Sequence, residues 1–463
     1  MTSSAVEGVD ATFDAIVIGG GPAGEVCSGR LGEAGLGVAV VEKHLVGGEC
    51  SFYACMPSKA LLRPGEALAE ARRVPGAREA ATGKLDVEAV LRRRDEVIHD
   101  LDDRVMLPWL EQRGVTVVRG PARIVGERRV EVEGRVLEAR RAVVVATGSE
   151  AAVPPIPGLA EAHAWTNRDA TTSEGVPERL IVLGGGVVGV ELGQAWQSLG
   201  SQVTIVEAQA RLLGREEEFA AAQVHEALVA RGIEIRTGQP AVEVSRNGGV
   251  TVRLESGDEL SGDELLVAVG RRPATRDLGL ESVGLEPGKS IEVDETLRAR
   301  GFDWLFAIGD VNGRALLTHM GKYHGRVAAD VILGRDARLD PLAGDALSPR
   351  VVFTDPQVAA VGHTLESARE AGIEATAVDH ETSGVAGGSF YGRGAPGTSR
   401  LVVDDRRRVL VGATFVGADV SEFVHAATIA IVGEVPLERL WHATPCFPTR
   451  NEVWLRLLEH YGL

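Results

Sequence analysis

Twice along the chain a short apolar run ends in three glycines and gives way to a helix-like stretch: AIVIGGGPAGEV from Ala15 and LIVLGGGVVGVE from Leu180. Each reads G-x-G-x-x-G, with Gly19, Gly21 and Gly24 in the first loop and Gly184, Gly186 and Gly189 in the second. The first glycine of such a loop permits the tight turn, the second lets a pyrophosphate reach the backbone, and the third lets helix and strand pack closely. The helix N-terminus then turns free N–H groups toward the phosphates. An acid closes the strand that follows each helix, Glu42 and Glu207, both eighteen residues past the third glycine and suited to ribose hydroxyls. One such loop is compatible with a βα turn that binds nothing. Two point to two dinucleotides in one chain, hence to electron transfer between a flavin, FAD, and a nicotinamide. Glu207 favours NADH, because a carboxylate repels the 2′-phosphate of NADPH. Arg211 stands nearby and works the other way.

The rest of the chain organises around these units. Its 463 residues suffice for about three domains. The expected fold is α/β: two Rossmann-like dinucleotide-binding domains and a C-terminal α+β domain. A charged helical region spans about 60–115, and the strand RAVVVATGS (141–149) runs into a Pro-rich hinge at 152–158. LLVAVGRRPAT (265–275) and LFAIGDV (305–311) read as further strand ends. Past 345 the alternating segments 349–356 and 399–417 predict an antiparallel sheet, followed by a helical 420–433 stretch and an amphipathic tail. The boundaries expected are 1–152 and 274–344 for the two parts of the FAD domain, 153–273 for the NAD(P) domain and 345–463 for the last.

Charge and composition exclude several classes. Acids outnumber Lys plus Arg by 66 to 49, a net −17, so nucleic acid and anionic membranes are unsuited partners. Four cysteines, Cys27, Cys50, Cys55 and Cys446, are too few for a disulfide scaffold, so thiol chemistry is local. The N-terminus lacks the basic and apolar regions of a secretory signal, and no apolar run approaches the ~18 residues of a membrane span. A soluble cytoplasmic protein is expected. The histidines show no metal spacing, and no metal site is predicted.

Behind the first loop lies GGECSFYACMPSK, residues 47–59, with Cys50 and Cys55 five positions apart. A pair at this spacing can close a small reducible ring if the backbone bends, and two buried structural cysteines fit it equally. The segment resembles the redox-active motif of the class I pyridine nucleotide-disulfide oxidoreductases, flavoenzymes that include dihydrolipoyl dehydrogenase and the glutathione and mercuric reductases. The resemblance runs from Asp14 to the C-terminus. It takes in both glycine loops, Pro57-Ser58-Lys59, Ala146-Thr147-Gly148, Gly270-Arg271-Arg272-Pro273, Ile308-Gly309-Asp310 and Pro448-Thr449-x-x-Glu452. It implies that Cys55 is the flavin-proximal thiol and Cys50 the interchange thiol, joined as a disulfide in the oxidised enzyme. It pairs Lys59, one of five lysines in an Arg-rich chain, with Glu191 near the flavin, and gives Asp310 the ribityl chain. Gly48, Ala122, Thr147, Gly148, His319, Gly270 and Arg271 join the cofactor-binding set. The last domain becomes a homodimer interface that lends its terminal motif to the partner's active site.

One position departs from the family. Its terminal motif carries a His acid/base oriented by a Glu; here Phe447 stands at the His position and Glu452 remains. Phe neither gives nor takes a proton, and a placed acid/base contributes ~10²–10⁴-fold. His442, Glu452 and Cys446 are candidate substitutes. The expected function is transfer of electrons from NADH through FAD to Cys50–Cys55 and on to a small acceptor. The alternatives are an NADH:quinone or dye reductase, a carboxylating variant like the family branch that also carries Phe here, and a redox-sensing flavoprotein with negligible turnover.

Overall fold

The computed structural model describes residues 9–463 except 343, 393 and 396, and the chain divides into two compact units. The first comprises residues 1–56, 95–150 and 271–345. Its centre is a seven-stranded sheet in the order Val115–Arg119, Val38–Glu42, Ala11–Ile18, Arg135–Val145, Arg129–Val132, Ala122–Gly126, with Leu305–Ala307 also paired to Arg135–Val145. The first four strands and Leu305–Ala307 are mutually parallel; Arg129–Val132 pairs antiparallel with both Arg135–Val145 and Ala122–Gly126. Ala15 to Ile18 are at most 3% exposed, so the continuous apolar run is a strand covered on both faces. Val17 sits in register with Val40 on one side and Val144 on the other.

Pro22 opens the first loop helix, Pro22–Glu33, at a position where its missing N–H costs nothing. Against it packs Thr318–Ile332. A Cβ on Gly325 would lie 2.7 Å from the Ala23 carbonyl oxygen, so the two backbones touch there.

The second unit comprises residues 57–94, 151–270 and 346–463. It repeats the parallel theme in four strands, Glu234–Thr237, Gln202–Glu207, Arg179–Leu183 and Glu264–Val267, with the helix Val187–Ser198 after the second glycine loop. A three-stranded antiparallel sheet, Ala241–Arg246, Val250–Leu254 and Glu259–Gly262, accompanies it. The C-terminal part is a five-stranded antiparallel sheet ordered Arg350–Val352, Gln357–Gly362, Val409–Gly417, Thr398–Asp404, Ala375–Glu381, as the alternating pattern predicts. Helices Val424–Val432 and Glu452–Tyr461 complete it. The fold is the expected α/β one. No described helix is long and apolar enough to cross a membrane.

Candidate functional site

The two loops are built alike down to single bonds. A Cβ on Gly24 would collide with the Gly19 carbonyl oxygen, and one on Gly189 with that of Gly184. Gly19 and Gly184 turn at φ +109° and +107°, pressed against the Ala146 and Ala268 carbonyls. Glu42 Oε2 accepts the Gly20 N–H at 2.7 Å, and Glu207 Oε2 accepts that of Gly185 at 2.6 Å. Their other oxygens take the His44 and Gln209 N–H groups, both at 2.7 Å. Each acid is thus locked across its own loop. Arg211 spends its guanidinium on the carbonyls of Leu213, Gly214 and Glu216.

The second glycines behave differently. A Cβ on Gly186 would meet nothing within 4 Å, and one on Gly21 would meet only Gly48 Cα at 3.9 Å. That open space over a helix N-terminus fits a pyrophosphate. On the flavin side Thr147 Oγ1 is buried without a hydrogen-bond partner, and the neighbouring Gly148 turns at φ +70° with nothing beside it. The residues present fit a dinucleotide in each loop.

The cysteine segment is tied to the first loop. Gly47 N–H donates to Gly20 O at 2.8 Å, and a Cβ on Gly48 would fall 2.9 Å from Gly21 Cα. The short helix Gly48–Phe52 carries Cys50, and Cys55 begins the helix Cys55–Arg73. The two thiols are adjacent, and Cys50 is hydrogen-bonded to Cys55. That bond, then burial, then the charge of Cys55, push the Cys50 thiol up, while Thr318 and Lys322 pull it down. Cys55 Sγ lies 3.3 Å from Thr318 Oγ1.

Asp310 belongs to a second cluster in the same unit. Ser149 Oγ donates to its carboxylate at 2.6 Å, and Arg271 Nε donates to Ser149 Oγ at 2.7 Å. Arg271 also lies 3.6 Å from Glu49, the residue before Cys50. Burial pushes the Asp310 carboxyl up, against Ser149 and Arg271. Arg271 thus stands in the Asp310 network, and Gly270 lies in the second unit and accepts the Ala152 N–H at 3.0 Å. His319 is exposed in the first turn of Thr318–Ile332, and Ala122 lies on an outer antiparallel strand beside Val132.

In the second unit Lys59 Nζ meets Glu191 Oε2 at 2.7 Å and lies 4.7 Å over the Phe353 ring. Phe447 is 77% exposed. Glu452, in the first turn of the last helix, accepts the Gly387 N–H at 3.4 Å. Among the described residues no group of His, Cys, Asp or Glu could hold a metal. Glu49, Ser149 and Thr318 escaped sequence reasoning. None carries a spacing signal, since each acquires its place only by packing.

Comparison with known proteins agrees with this geometry. Residues 13–325 match the pyridine nucleotide-disulphide oxidoreductase model, and residues 348–457 match the dimerisation domain of the same family. The chain is 36% identical over 458 residues to a dihydrolipoyl dehydrogenase of Thermus scotoductus, covering 97% of each. It is 31% identical over 450 residues to a mercuric reductase of Staphylococcus aureus, covering 93% of this chain and 79% of that one. Among solved structures it is similar to LpdA from Mycobacterium tuberculosis (TM-score 0.85, 25% identity, 97% of this chain and all of that one). It is also similar to the HOCl-induced flavoprotein disulfide reductase RclA from Escherichia coli (TM-score 0.84, 26% identity, 96% and 99% covered).

Proposed function

We propose a function for this chain from one premise: it belongs to the pyridine nucleotide-disulphide oxidoreductases, an oxidoreductase family that works with FAD and a pyridine nucleotide. Electrons from NADH reach the Cys50–Cys55 pair and then a small disulfide-type acceptor. Bound FAD would supply the hydride acceptor that links nicotinamide to thiols. The residues of the chain do the rest. Gly21 and Gly186 leave room for the two pyrophosphates, Thr147 and Asp310 offer polar atoms to the flavin, and Lys59 brings a compact charge held by Glu191. Cys50 exchanges with the acceptor and Cys55 faces the flavin. The observation that carries this reading is the contact between the two thiols on a segment bonded to the first glycine loop.

NADH is favoured over NADPH because both Glu207 oxygens are fixed at the loop and Arg211 is committed to carbonyls. A homodimer is supported by the match to the dimerisation domain and by exposed Ile429, Trp441 and Phe447 in that part of the chain. Direct transfer to a quinone or dye is the second reading, favoured by Phe447, which brings no proton to a departing thiol. Anaerobic reductive titration of the yellow holoenzyme decides between them. Four electrons per subunit, with a thiolate–flavin charge-transfer band halfway, are expected; a two-electron endpoint without the band overturns the relay.

A further inference from the structure

Cys50 can exchange with an acceptor only where the short helix that carries it is held in place, and that helix has little of its own to hold it. Gly48–Phe52 is five residues long, well under the ~12–15 that an isolated helix needs. At its start Gly47 and Gly48 turn at φ +111° and +59°, through the residue type with the most backbone freedom to lose. The stretch from Glu42 to Gly48 must therefore be fixed from outside. Glu42 Oε1 takes the His44 N–H and Gly20 O takes the Gly47 N–H. A third anchor comes from 57 residues further along: Asp103 Oδ2 accepts the N–H of fully buried Val46 at 2.7 Å.

Arg119 strengthens that anchor. It ends the strand Val115–Arg119, in register with Glu42, and its Nη1 lies 2.7 Å from the same Asp103 oxygen while donating to the His44 carbonyl at 2.8 Å. The Asp103 side chain is 11% exposed, so its carboxylate is enclosed and both of its bonds are charge-assisted. The chain reaches Asp103 through a costly conformation. After buried Ile98, His99, Asp100 and Leu101 stand at φ +52°, +51° and +60°, a left-handed turn that crowds each Cβ against the next carbonyl. Leu101 N–H to Ile98 O and Asp102 N–H to His99 O, both 2.9 Å, close it. The Asp102 carboxylate accepts the Arg104 N–H at 3.0 Å, so of the two neighbouring acids only Asp103 holds the Val46 N–H. Strain of this kind persists where the surroundings over-determine it, and buried Ile98 on one side and Asp103 on the other do so here.

We infer that Asp103 is a positioning residue for Cys50, with Arg119 as its support. It rests on the reading of Cys50–Cys55 as the electron relay. By fixing Val46, Asp103 sets where the two flexible glycines begin, and with them the start of the helix that carries the interchange thiol. Without it the Gly47 bond to Gly20 remains, but the backbone on its N-terminal side is free to turn, and a thiol displaced by about 1 Å exchanges poorly. Asp103 touches neither thiol, so it acts on the disulfide half of the reaction through Val46 and leaves electron transfer from NADH to the flavin alone.

The test assays holoenzyme, per bound FAD, with NADH and two acceptors. The disulfide 5,5′-dithiobis(2-nitrobenzoate) is reduced by thiol exchange; ferricyanide, a one-electron acceptor, reoxidises the flavin directly. Asp103→Ala should lower disulfide turnover at least ~10-fold and leave ferricyanide turnover within about twofold. Asp103→Asn keeps an oxygen for the Val46 N–H and should recover disulfide turnover to within about threefold of wild type. Arg119→Met, which leaves the Asp103 bond to Val46, should show the same split at about threefold. Equal losses with both acceptors, no loss in Asp103→Ala, or an Asp103→Asn as impaired as Asp103→Ala would each overturn the assignment. If Asp103→Ala fails to retain FAD, the split in Arg119→Met decides alone, and its absence overturns the assignment. A wild-type titration stopping at two electrons would refute the relay itself; four electrons in the wild type with an unimpaired Asp103→Ala would refute only Asp103.

Discussion

Lys59 Nζ donates to Glu191 Oε2 at 2.7 Å across 132 positions of sequence, and the two side chains differ sharply in exposure, 35% against 4%. Glu191 Oε1 also accepts the Phe353 N–H at 2.8 Å. The carboxylate therefore depends on Lys59 more than the reverse, since only the carboxylate is enclosed. Lys59→Met leaves a buried anion with one N–H partner and should cost about 2 kcal/mol, below the full value for a buried pair because the ammonium is part-solvated. Guanidinium unfolding of the holoenzyme measures it. Stopped-flow reduction by NADH should slow in the same variant if Lys59 serves the flavin.

The glycines of the second loop should separate fold from ligand. Gly189→Ala forces a methyl into the Gly184 carbonyl and should lower the unfolding temperature. Gly186→Ala adds a methyl where no protein atom stands, at a φ of −76° that any residue adopts. It should leave the unfolding temperature unchanged and raise KM for NADH at least tenfold, about 1.4 kcal/mol of lost binding. Equal thermal losses in both variants would contradict this division.

Cys50 is held protonated first by its bond to Cys55. Cys55→Ala removes both that bond and the Cys55 charge, and each of these raises the Cys50 titration. The midpoint of the pH–rate curve for alkylation by iodoacetamide should therefore move down in the variant, with Cys50 identified by peptide mass. An upward or absent shift would mean burial alone governs the thiol.

His324 Nδ1 accepts the Gly309 N–H at 3.2 Å, and burial depresses its titration to about 4 from an ordinary 6.5. The unfolded chain binds the proton more tightly, so stability is present above pH 6.5 and is lost as pH falls toward 4. The full difference is of order 3 kcal/mol. Urea unfolding at pH 7 and pH 4.5 should show the loss, and His324→Gln should flatten it.

Phe447→His tests whether a proton is still lacking. A placed imidazole contributes ~10²–10⁴-fold where no other group supplies the proton, so the variant should raise alkyl-disulfide turnover at least tenfold. Unchanged turnover in a folded, FAD-loaded variant would show that another group already fills the role.

What was legible in the sequence is what neighbouring residues decide among themselves. Gly24 must be glycine because its Cβ would strike an oxygen five residues back, and Gly189 repeats the collision at the same interval. Apolar runs such as Ala15–Ile18 announce strands covered on both faces for the same local reason. The cysteine pair was readable too, because five residues of chain and the Gly47–Gly20 bond suffice to hold it at the loop. The positions of Arg271, Ser149 and Glu25 had no such local cause. Arg271 sits one residue past a stretch of the second unit yet its guanidinium binds Ser149, and no spacing encodes that choice. Glu25 looks like any helical glutamate until burial pushes its carboxyl up, with the charge of Lys322 partly offsetting it. Strand and turn depend on short-range sterics, which a sequence carries in its order. Acidity depends on lost solvent and on charges from distant segments, and only the tertiary structure assembles those.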